Sequence, residues 1–438
     1  MEGREALNGP DGSEMSRWEA VHDWLEAQHR RSLLASVAFV LVAGLAYCVS
    51  IGSKVRFADE ADYLELARNL ARSGRYTLDG VHASAYRPPG YPFLLGAMKW
   101  VGAPIWTMRS LNVLFLAIVV WCAWWLARRI GGPAAAAVAA PVVAVYPIGF
   151  YTMGTLYPQT MGAALLMGGL VTLVGIKGSA RRNLRAALTG LIFGVLVLTI
   201  PTFAVALAIG VVWQFVRDRR IWTAVLIVAV AAVLPLVWTA RNVDSMHAFI
   251  PVSTNNGINL LLGNSEHAGP RTGVTADISS YTRHIDQHHL DEVDADAYMR
   301  KAAEHWIVHH PVRAGWLYVE KTANYFAPFD RLGTDTQSSG AQQALAVVTY
   351  LPLLALFVLR LLRWRRDRPD DVEWLLILLY LVTAPIEAVF FTRVRFRSPV
   401  DPLLIVVVAG MIGRWPGRTG HGDVTDEVVV GVDAGQSA

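Results

Sequence analysis

Ten runs of mostly apolar residues constrain this sequence more than any other feature. A helix needs about 20 such residues to cross the hydrocarbon layer of a bilayer, so the runs predict about ten membrane spans, within a range of about nine to twelve. The pair that flanks Pro201 is short and could instead form one kinked helix. The runs are 33–51, 105–127, 133–150, 157–176, 186–200, 202–216, 221–240, 341–362, 372–391 and 399–412.

The composition excludes several other classes of protein. Hydrophobic residues make up 54% and charged residues 17% of the 438 positions, against roughly 45–50% and about 25% in soluble domains. This apolar content excludes disorder over most of the chain. The two cysteines, Cys48 and Cys122, lie inside apolar runs, which excludes a disulfide-stapled domain. A net charge of +4 without a basic polar domain argues against nucleic acid as a partner.

Lysine and arginine in the short connections predict how the chain crosses the membrane. With the N-terminus inside, every short inside connection is basic, as the positive-inside rule requires. We therefore expect a multi-pass plasma-membrane protein with both termini cytoplasmic: a segment 1–32, a transmembrane domain 33–414 and a disordered tail 415–438. Two large polar stretches, 52–104 and 241–340, then lie on the extracytoplasmic side, and we call them the first and second outer segments.

A third, very short outer connection carries Arg393, Arg395 and Arg397 and breaks the positive-inside pattern. Cations at the outer edge of a membrane suggest an anionic lipid head group or a phosphate as their ligand. The alternative is that they pair with carboxylates of the outer segments or with ordinary membrane lipid.

The first outer segment begins with an acidic pair, Asp59 and Glu60, at the start of a predicted helix over 61–73. Such a pair can be a simple N-terminal cap, because the helix dipole favours negative charge there. Its place just after a span, among basic residues, instead suggests a site at the membrane surface. The run Arg87-Pro88-Pro89-Gly90-Tyr91-Pro92 follows, and its fixed φ angles predict a stiff turn before an interfacial stretch at 93–100.

Taken in order, these motifs resemble bacterial proteins similar to the dolichyl-phosphate-mannose–protein mannosyltransferases, which are membrane glycosyltransferases of the GT-C fold. The second outer segment and the last span add to the resemblance. The matching residues are Asp59-Glu60, Tyr63, Arg87-Pro88-Pro89-Gly90-Tyr91-Pro92, Ser253-Thr254-Asn255-Asn256-Gly257, Asn259, Gly263-Asn264, Trp306, His310-Pro311, Lys321, Arg395-Phe396-Arg397, Pro399 and Pro402.

The resemblance implies an all-α GT-C fold with short interfacial helices in two large extracytoplasmic loops. It implies an inverting glycosyltransferase that moves a sugar, mannose or a pentose, from a polyprenyl-phosphate donor to an acceptor hydroxyl. The acceptor is a protein, a glycolipid or a polysaccharide. A hydroxyl is a poor nucleophile, so a carboxylate must take its proton. Asp59 is the candidate catalytic base, and Glu60 is expected to orient a partner such as an arginine.

The resemblance also implies cations that stabilise the departing lipid phosphate. The candidates are Arg87, Arg393, Arg395, Arg397 and Lys321. In-line displacement places base and leaving group on opposite faces of the sugar, so we expect Asp59 to lie across the sugar from these cations. The candidates that would bind sugar or acceptor are Tyr63, Asn255, Asn256, Asn259 and Asn264, although asparagine and glycine here could simply form turns.

We expect no cofactor, because the lipid carries the activated sugar and the sequence has no glycine-rich phosphate loop. A divalent metal is considered but not expected. The pairs His284/His288 and His305/His309 have the i,i+4 spacing that places two ligands on one helix face, but we interpret them as surface polar residues.

Two other functions remain open at this stage. A flippase or transporter for lipid-linked sugars would need ionisable residues in mid-bilayer and broken helices, whereas the spans carry chiefly Arg109 and Glu387. An inactive transferase-like scaffold is suggested by Gln159 and Ile200, because relatives often carry a glutamate and a basic residue at these places.

Overall fold

The computed structural model describes residues 12–329 and 340–414, and the side chains from residue 19 onward. Within these residues every regular element is a helix, as the sequence predicts. The predicted disordered tail, 415–438, lies outside the described residues. The α-helices are α1 (Gly12–Ile51), α2 (Ala58–Ser73), α3 (Gly90–Trp100), α4 (Ile105–Val145), α5 (Pro147–Met153), α6 (Gln159–Val174), α7 (Arg182–Thr199), α8 (Ala204–Asp218), α9 (Ile221–Met246), α10 (Asn256–Gly263), α11 (Ser279–Gln287), α12 (Glu292–His309), α13 (Pro311–Tyr325), α14 (Gly340–Leu362), α15 (Asp371–Ala388), α16 (Val394–Arg397) and α17 (Asp401–Gly413).

Each apolar run of the sequence coincides with helix, but the count of ten spans is not confirmed. Five described helices are long and apolar enough to cross a membrane: Glu19–Ile51 within α1, then α4, α7, α9 and α14. Helices α6 and α17 are apolar but shorter. The short pair that flanks Pro201 forms two helices, because the backbone at Ile200 is extended (φ −141°, ψ 96°) and interrupts the α-helical path between α7 and α8.

A glycine pair shapes the longest helix. At Gly132 the backbone of α4 has φ 77° and ψ −173°, so α4 is two helices joined by a sharp bend, where the sequence predicts a connection. A β-carbon on the preceding Gly131 would lie 2.7 Å from the α-carbon of Gly410 in α17. The two helices therefore touch through their backbones.

Helix α17 forms the centre of the bundle. All of its residues except Ile412 are buried. A helix that is apolar on every side is stable only inside a protein or a membrane, and here its neighbours are α4, α14 and α15. Its first turn carries the buried Asp401, which pairs with Arg397 at 2.9 Å.

Contacts between polar connections lie at two ends of the bundle. At the end predicted to be cytoplasmic, the inner end, Arg129 lies 3.1 Å from Asp370 and Arg217 lies 2.6 Å from Asp371. At the opposite, outer end, Arg56 donates to the carbonyl of Gly154 at 2.6 Å. Which end faces the cytoplasm stays a prediction.

Candidate functional site

Helix α2 carries the acidic pair Asp59 and Glu60 at the outer end of the bundle, and the two carboxylates point in different directions. The helix begins after Phe57, whose backbone is extended, and it ends at Gly74, whose φ of 68° suits glycine. Adjacent residues on a helix point about 100° apart. As a result Glu60 is fully buried, whereas the side chain of Asp59 keeps 26% of its surface exposed.

Glu60 fastens the first outer segment to the bundle. Its carboxylate accepts hydrogen bonds from the backbone N–H of Arg56 at 2.8 Å and of Leu156 at 2.9 Å. It also lies 3.6 Å from the buried guanidinium of Arg109, which donates to the carbonyls of Gly52 and Lys54. Glu60 thus contacts an arginine, the kind of partner that the sequence predicts for it, and its part in catalysis through such a partner stays a prediction.

Asp59 is held between two arginines that are distant in sequence. One carboxylate oxygen accepts from Arg87 Nη2 at 2.8 Å and the other accepts from Arg395 Nη2 at 3.1 Å. The same Arg87 also donates to Asp62, through Nη2 at 2.6 Å and Nε at 3.2 Å. We call Asp59, Asp62, Arg87 and Arg395 the outer cluster. Its side chains are 15–34% exposed, so solutes can reach them.

The electrostatics of the outer cluster favour an ionised Asp59. Burial by itself would raise the pKa of this carboxyl group, but the charges of Arg395 and Arg87 outweigh it and lower the pKa below its usual value. The carboxylate is therefore ionised at neutral pH and able to accept a proton. Two hydrogen-bonded arginines also make it a weak base, because they stabilise its charged form.

Aromatic rings line the outer cluster. The guanidinium of Arg395 lies 4.8 Å from the ring centre of Tyr157, and that of Arg87 lies 5.5 Å from the ring of Tyr63. Tyr63 is buried, which raises the pKa of its hydroxyl to about 12, and it meets Tyr91 edge to face. Cations over aromatic faces gain favourable electrostatic energy, so the rings help to hold both arginines in place.

The proline-rich turn positions Arg87. Tyr76 donates to the Arg87 carbonyl at 2.7 Å, and Pro88 and Pro89 are buried. Gly90 then starts α3 against the outer end of α7, where a β-carbon would lie 2.4 Å from Thr199 Oγ1. Only glycine permits this approach, which is why the turn can carry Arg87 back over α2.

Two predicted phosphate ligands serve other contacts. Lys321 is buried and donates to the carbonyls of Gly263 at 2.9 Å and Phe390 at 2.8 Å and to Asn264 Oδ1 at 3.2 Å. Its three donors thus have protein acceptors, and burial lowers its pKa to about 8. Arg397 is buried, pairs with Asp401 and donates to the carbonyls of Tyr325 and Ala327.

The remaining predicted cation, Arg393, stands with extended backbone just before α16. Of the five predicted phosphate ligands, the structure brings Arg87 and Arg395 to Asp59. Phosphate binding by all five, including Arg393, Arg397 and Lys321, stays a prediction.

The predicted asparagines lie in α10 or directly beside it. Asn264 donates to the carbonyls of Leu260 and Val389, both at 2.9 Å. Asn255 accepts from Ser253, while Asn256 donates to the Ser253 carbonyl. Asn259 is partly buried. The turn interpretation therefore accounts for the bonds of Asn255 and Asn256, and their part in binding sugar stays a prediction.

The second outer segment docks on the first beside Arg87. Glu292 Oε1 accepts from the backbone N–H of Ala85 at 2.7 Å and from Thr254 Oγ1 at 2.6 Å. Thr254 in turn donates its N–H to the Ala85 carbonyl. Sequence reasoning missed Glu292, since no local pattern indicates a partner 207 residues away. It also missed Asp62, although the i,i+3 spacing from Asp59 places both on one helix face.

The histidine-rich stretch forms ring stacks. His284 and His288 stack at 3.9 Å, and His305 and His309 at 3.8 Å. Within the described residues, the group of ligand atoms close enough to hold a metal ion is His22, Asp23 and Glu26, on α1. The expectation that the protein requires no metal ion and no cofactor stays a prediction.

One geometric expectation, the placement of the charges around a bound sugar, stays a prediction. The sequence predicts Asp59 and the arginines on opposite sides of a sugar, but Asp59 contacts Arg87 and Arg395 directly. Opposite charges attract across a few ångströms unless a substrate stands between them. The direct contacts therefore leave no gap for a sugar between these groups.

Comparison with known proteins identifies the fold. No protein-family model matches the sequence, and no curated protein is significantly similar to it. The structure resembles the archaeal oligosaccharyltransferase AglB from Archaeoglobus fulgidus, in complex with an inhibitory peptide and a dolichol-phosphate, with a TM-score of 0.50 and 16% identity. The alignment covers 85% of this chain and 50% of AglB, so the chain spans about half the length of that protein.

A second similar structure is ArnT from Cupriavidus metallidurans bound to undecaprenyl phosphate, with a TM-score of 0.41 and 14% identity over 87% of this chain and 76% of ArnT. The likeness to AglB confirms the GT-C fold predicted from the sequence. It does not confirm membership of the mannosyltransferase family.

Proposed function

We propose that the protein is an inverting glycosyltransferase that uses a polyprenyl-phosphate sugar and works at the extracytoplasmic surface. The observation that carries this proposal is the ionised, partly exposed Asp59 between Arg87 and Arg395. The GT-C fold supports it, and so does the dolichol-phosphate in the AglB complex, because it is a ligand of the proposed chemical class. The sugar is mannose or a pentose, and the acceptor is a protein, a glycolipid or a polysaccharide.

The contacts around Asp59 suggest how donor binding prepares the base. A phosphate competes with a carboxylate for arginine, which binds both through paired N–H groups. When the donor phosphate takes Arg395 and Arg87, Asp59 loses the two charges that lower its pKa and becomes a stronger base. The exchange also opens the space between Asp59 and the arginines in which the sugar must lie.

The reaction then balances as a single displacement. The acceptor oxygen forms a bond to the anomeric carbon while the bond from that carbon to the phosphate oxygen breaks. The hydroxyl proton passes to Asp59, and the electron pair leaves with the lipid phosphate, whose charge the arginines stabilise. Asp62 keeps Arg87 in place throughout, since its carboxylate holds Nε and Nη2.

The test is Asp59→Asn in proteoliposomes supplied with polyprenyl-phosphate mannose or arabinose and membrane acceptors. We expect loss of transfer and of polyprenyl phosphate release by about 10²- to 10⁴-fold, the usual worth of a general base. Glu65→Gln is the matched control, because Glu65 lies on the same helix and pairs with Arg68 outside the outer cluster.

Sugar transfer by the Asp59→Asn variant at the wild-type rate would show that Asp59 is not the catalytic base. Absence of polyprenyl phosphate release by the wild-type protein with either donor would favour the scaffold interpretation. Movement of intact lipid-linked sugar across the bilayer would favour a flippase.

A further inference from the structure

Helix α13 exposes apolar residues on the face opposite its buried one, although it lies in the predicted second outer segment. One face packs into the protein through Ala314, Leu317, Lys321 and Tyr325. On the opposite face Val312, Trp316 and Val319 are 86%, 60% and 54% exposed. At 100° per residue these three fall within about 60° of one another, and with Gly315 and Ala323 the set spans about 100°. We call this uncharged surface the α13 stripe. A helix in water would carry polar residues there.

The position of α13 indicates what covers the stripe. Tyr318 donates to the carbonyl of Pro385, in the last turn of α15, at 3.1 Å. Helix α15, the ninth predicted span, has its own exposed apolar stripe of Trp374, Leu378 and Leu381. The α13 stripe is therefore attached to the outer end of a surface suited to lipid. Tryptophan is enriched at this depth of membrane proteins.

The buried face of α13 contacts the chain on both sides of the arginine segment 393–397. Thr392 donates to the Lys321 carbonyl at 3.0 Å, and Lys321 Nζ donates to the carbonyl of Phe390. Arg397 donates to the Tyr325 carbonyl at 2.9 Å. These bonds hold the chain on both sides of Arg395, the arginine that contacts Asp59. A shift of α13 relative to the bundle is therefore expected to shift Arg395 with it.

We propose that the α13 stripe is seated in the hydrocarbon of outer-leaflet lipids and that this seat fixes Arg395 at the height of the lipid phosphates. The second clause rests on the proposed function, because it concerns the phosphate of the lipid donor. The seat makes part of the second outer segment a membrane-embedded platform rather than a loop in water.

Site-directed spin labelling tests the seat without any need for activity. In a background with Cys48→Ala and Cys122→Ala, a nitroxide is attached to cysteine at 312, 316 or 319, and the full chain is placed in lipid nanodiscs. Each label on the stripe is expected to collide more with oxygen, which concentrates in hydrocarbon, than with a water-soluble nickel chelate. Glu304→Cys on α12, which is exposed, is the matched control and should favour the chelate.

Two results would overturn the seat. Labels that meet the chelate as readily as the label at 304 would show that the stripe faces water. Labels shielded from both agents would show a protein cover, such as a second copy of this chain.

Binding of undecaprenyl phosphate in nanodiscs tests the positioning. The double variant Trp316→Asn, Val319→Asn should bind this lipid about tenfold more weakly, while Glu304→Gln should bind it like wild type. Wild-type affinity in the double variant would overturn the positioning. Failure of the wild-type protein to bind the lipid would overturn the proposed donor, and the spin labels would still decide whether the stripe is in lipid.

Discussion

Two groups of ion pairs, one around Glu373 at the inner end of the bundle and the outer cluster at the opposite end, differ in burial. At the inner end, Arg360 meets Glu373 through two bonds, of 2.6 and 3.0 Å, and both side chains are fully buried. Arg414 Nη2 adds two more contacts to Glu373, at 2.9 and 3.1 Å. At the outer end, the four side chains of the outer cluster keep 15–34% of their surface.

This difference in burial determines which of the two groups of ion pairs can exchange partners. A buried pair that loses one partner leaves an uncompensated charge in a medium of low dielectric constant, so the inner pair fastens α14, α15 and α17 and cannot exchange partners. In the outer cluster water and ligands can replace a lost partner. The arginines of the outer cluster can therefore exchange a carboxylate partner for a phosphate at a small cost in free energy. This property suits a binding site rather than a purely structural contact.

The largest expected effect comes from breaking the inner pair. Glu373→Ala leaves Arg360 buried without its bidentate partner and should destabilise the protein by about 3–5 kcal/mol. The measurement is thermal unfolding in detergent, followed by fluorescence-detected size exclusion. Transfer per folded molecule should stay near the wild-type value, because Glu373 contacts Arg360 and Arg414 at the inner end and no residue of the outer cluster.

The outer counterpart of this experiment is Asp59→Ala, measured in the same way. Because Asp59 is partly exposed, we expect it to lower stability by no more than about 1 kcal/mol. An equal loss of stability in the two variants would contradict the contrast between the ends.

Arg395→Gln sharpens the comparison through pH. Arg395 is the stronger of the two charges that lower the Asp59 pKa, so its removal should raise that pKa. Since the base must be ionised, the acid limb of the rate profile should move to higher pH. The readout is kcat/KM against pH, with Arg68→Gln on α2 as the control. An unmoved acid limb would show that Arg395 does not act on Asp59.

Asp62 should give the smallest effect. Asp62→Asn keeps a hydrogen-bond acceptor for Arg87 but removes the charge, so Arg87 is held less firmly for the donor phosphate. We expect KM for the lipid donor to rise about three- to tenfold with kcat little changed, the pattern of weakened ground-state binding. Asp62→Glu should restore much of the loss; equal defects in both variants would indicate a purely structural part.

How far the sequence predicted the site depends on where each side chain points. Asp59, Arg87 and Arg395 were all predicted, and the structure brings them together across more than 300 positions. Asp62 could have been found, because its spacing from Asp59 follows from helix geometry. That Asp59 and Glu60 point in different directions could be predicted, because adjacent residues on a helix lie about 100° apart. Which of the two is buried could not be predicted from the sequence pattern.

Lys321 and Arg397 show why the rest could not be predicted. Both are basic and near the membrane edge in sequence, as a phosphate ligand would be. Only the packing of α10, α13, α17 and the segment after α15 supplies the buried carbonyls and the Asp401 carboxylate that they meet. A buried polar group must find a partner, and that partner is chosen by the tertiary neighbours.

The sequence by itself determined the helical class, the places of the apolar runs and the separation of basic and polar connections to opposite ends. These follow from local rules, because burial in lipid requires long apolar helices and satisfied backbone bonds. The tertiary structure decided which charged side chains stay accessible to solvent and which form buried ion pairs that hold helices together. That choice depends on burial and on partners far away in the chain, which no local pattern encodes.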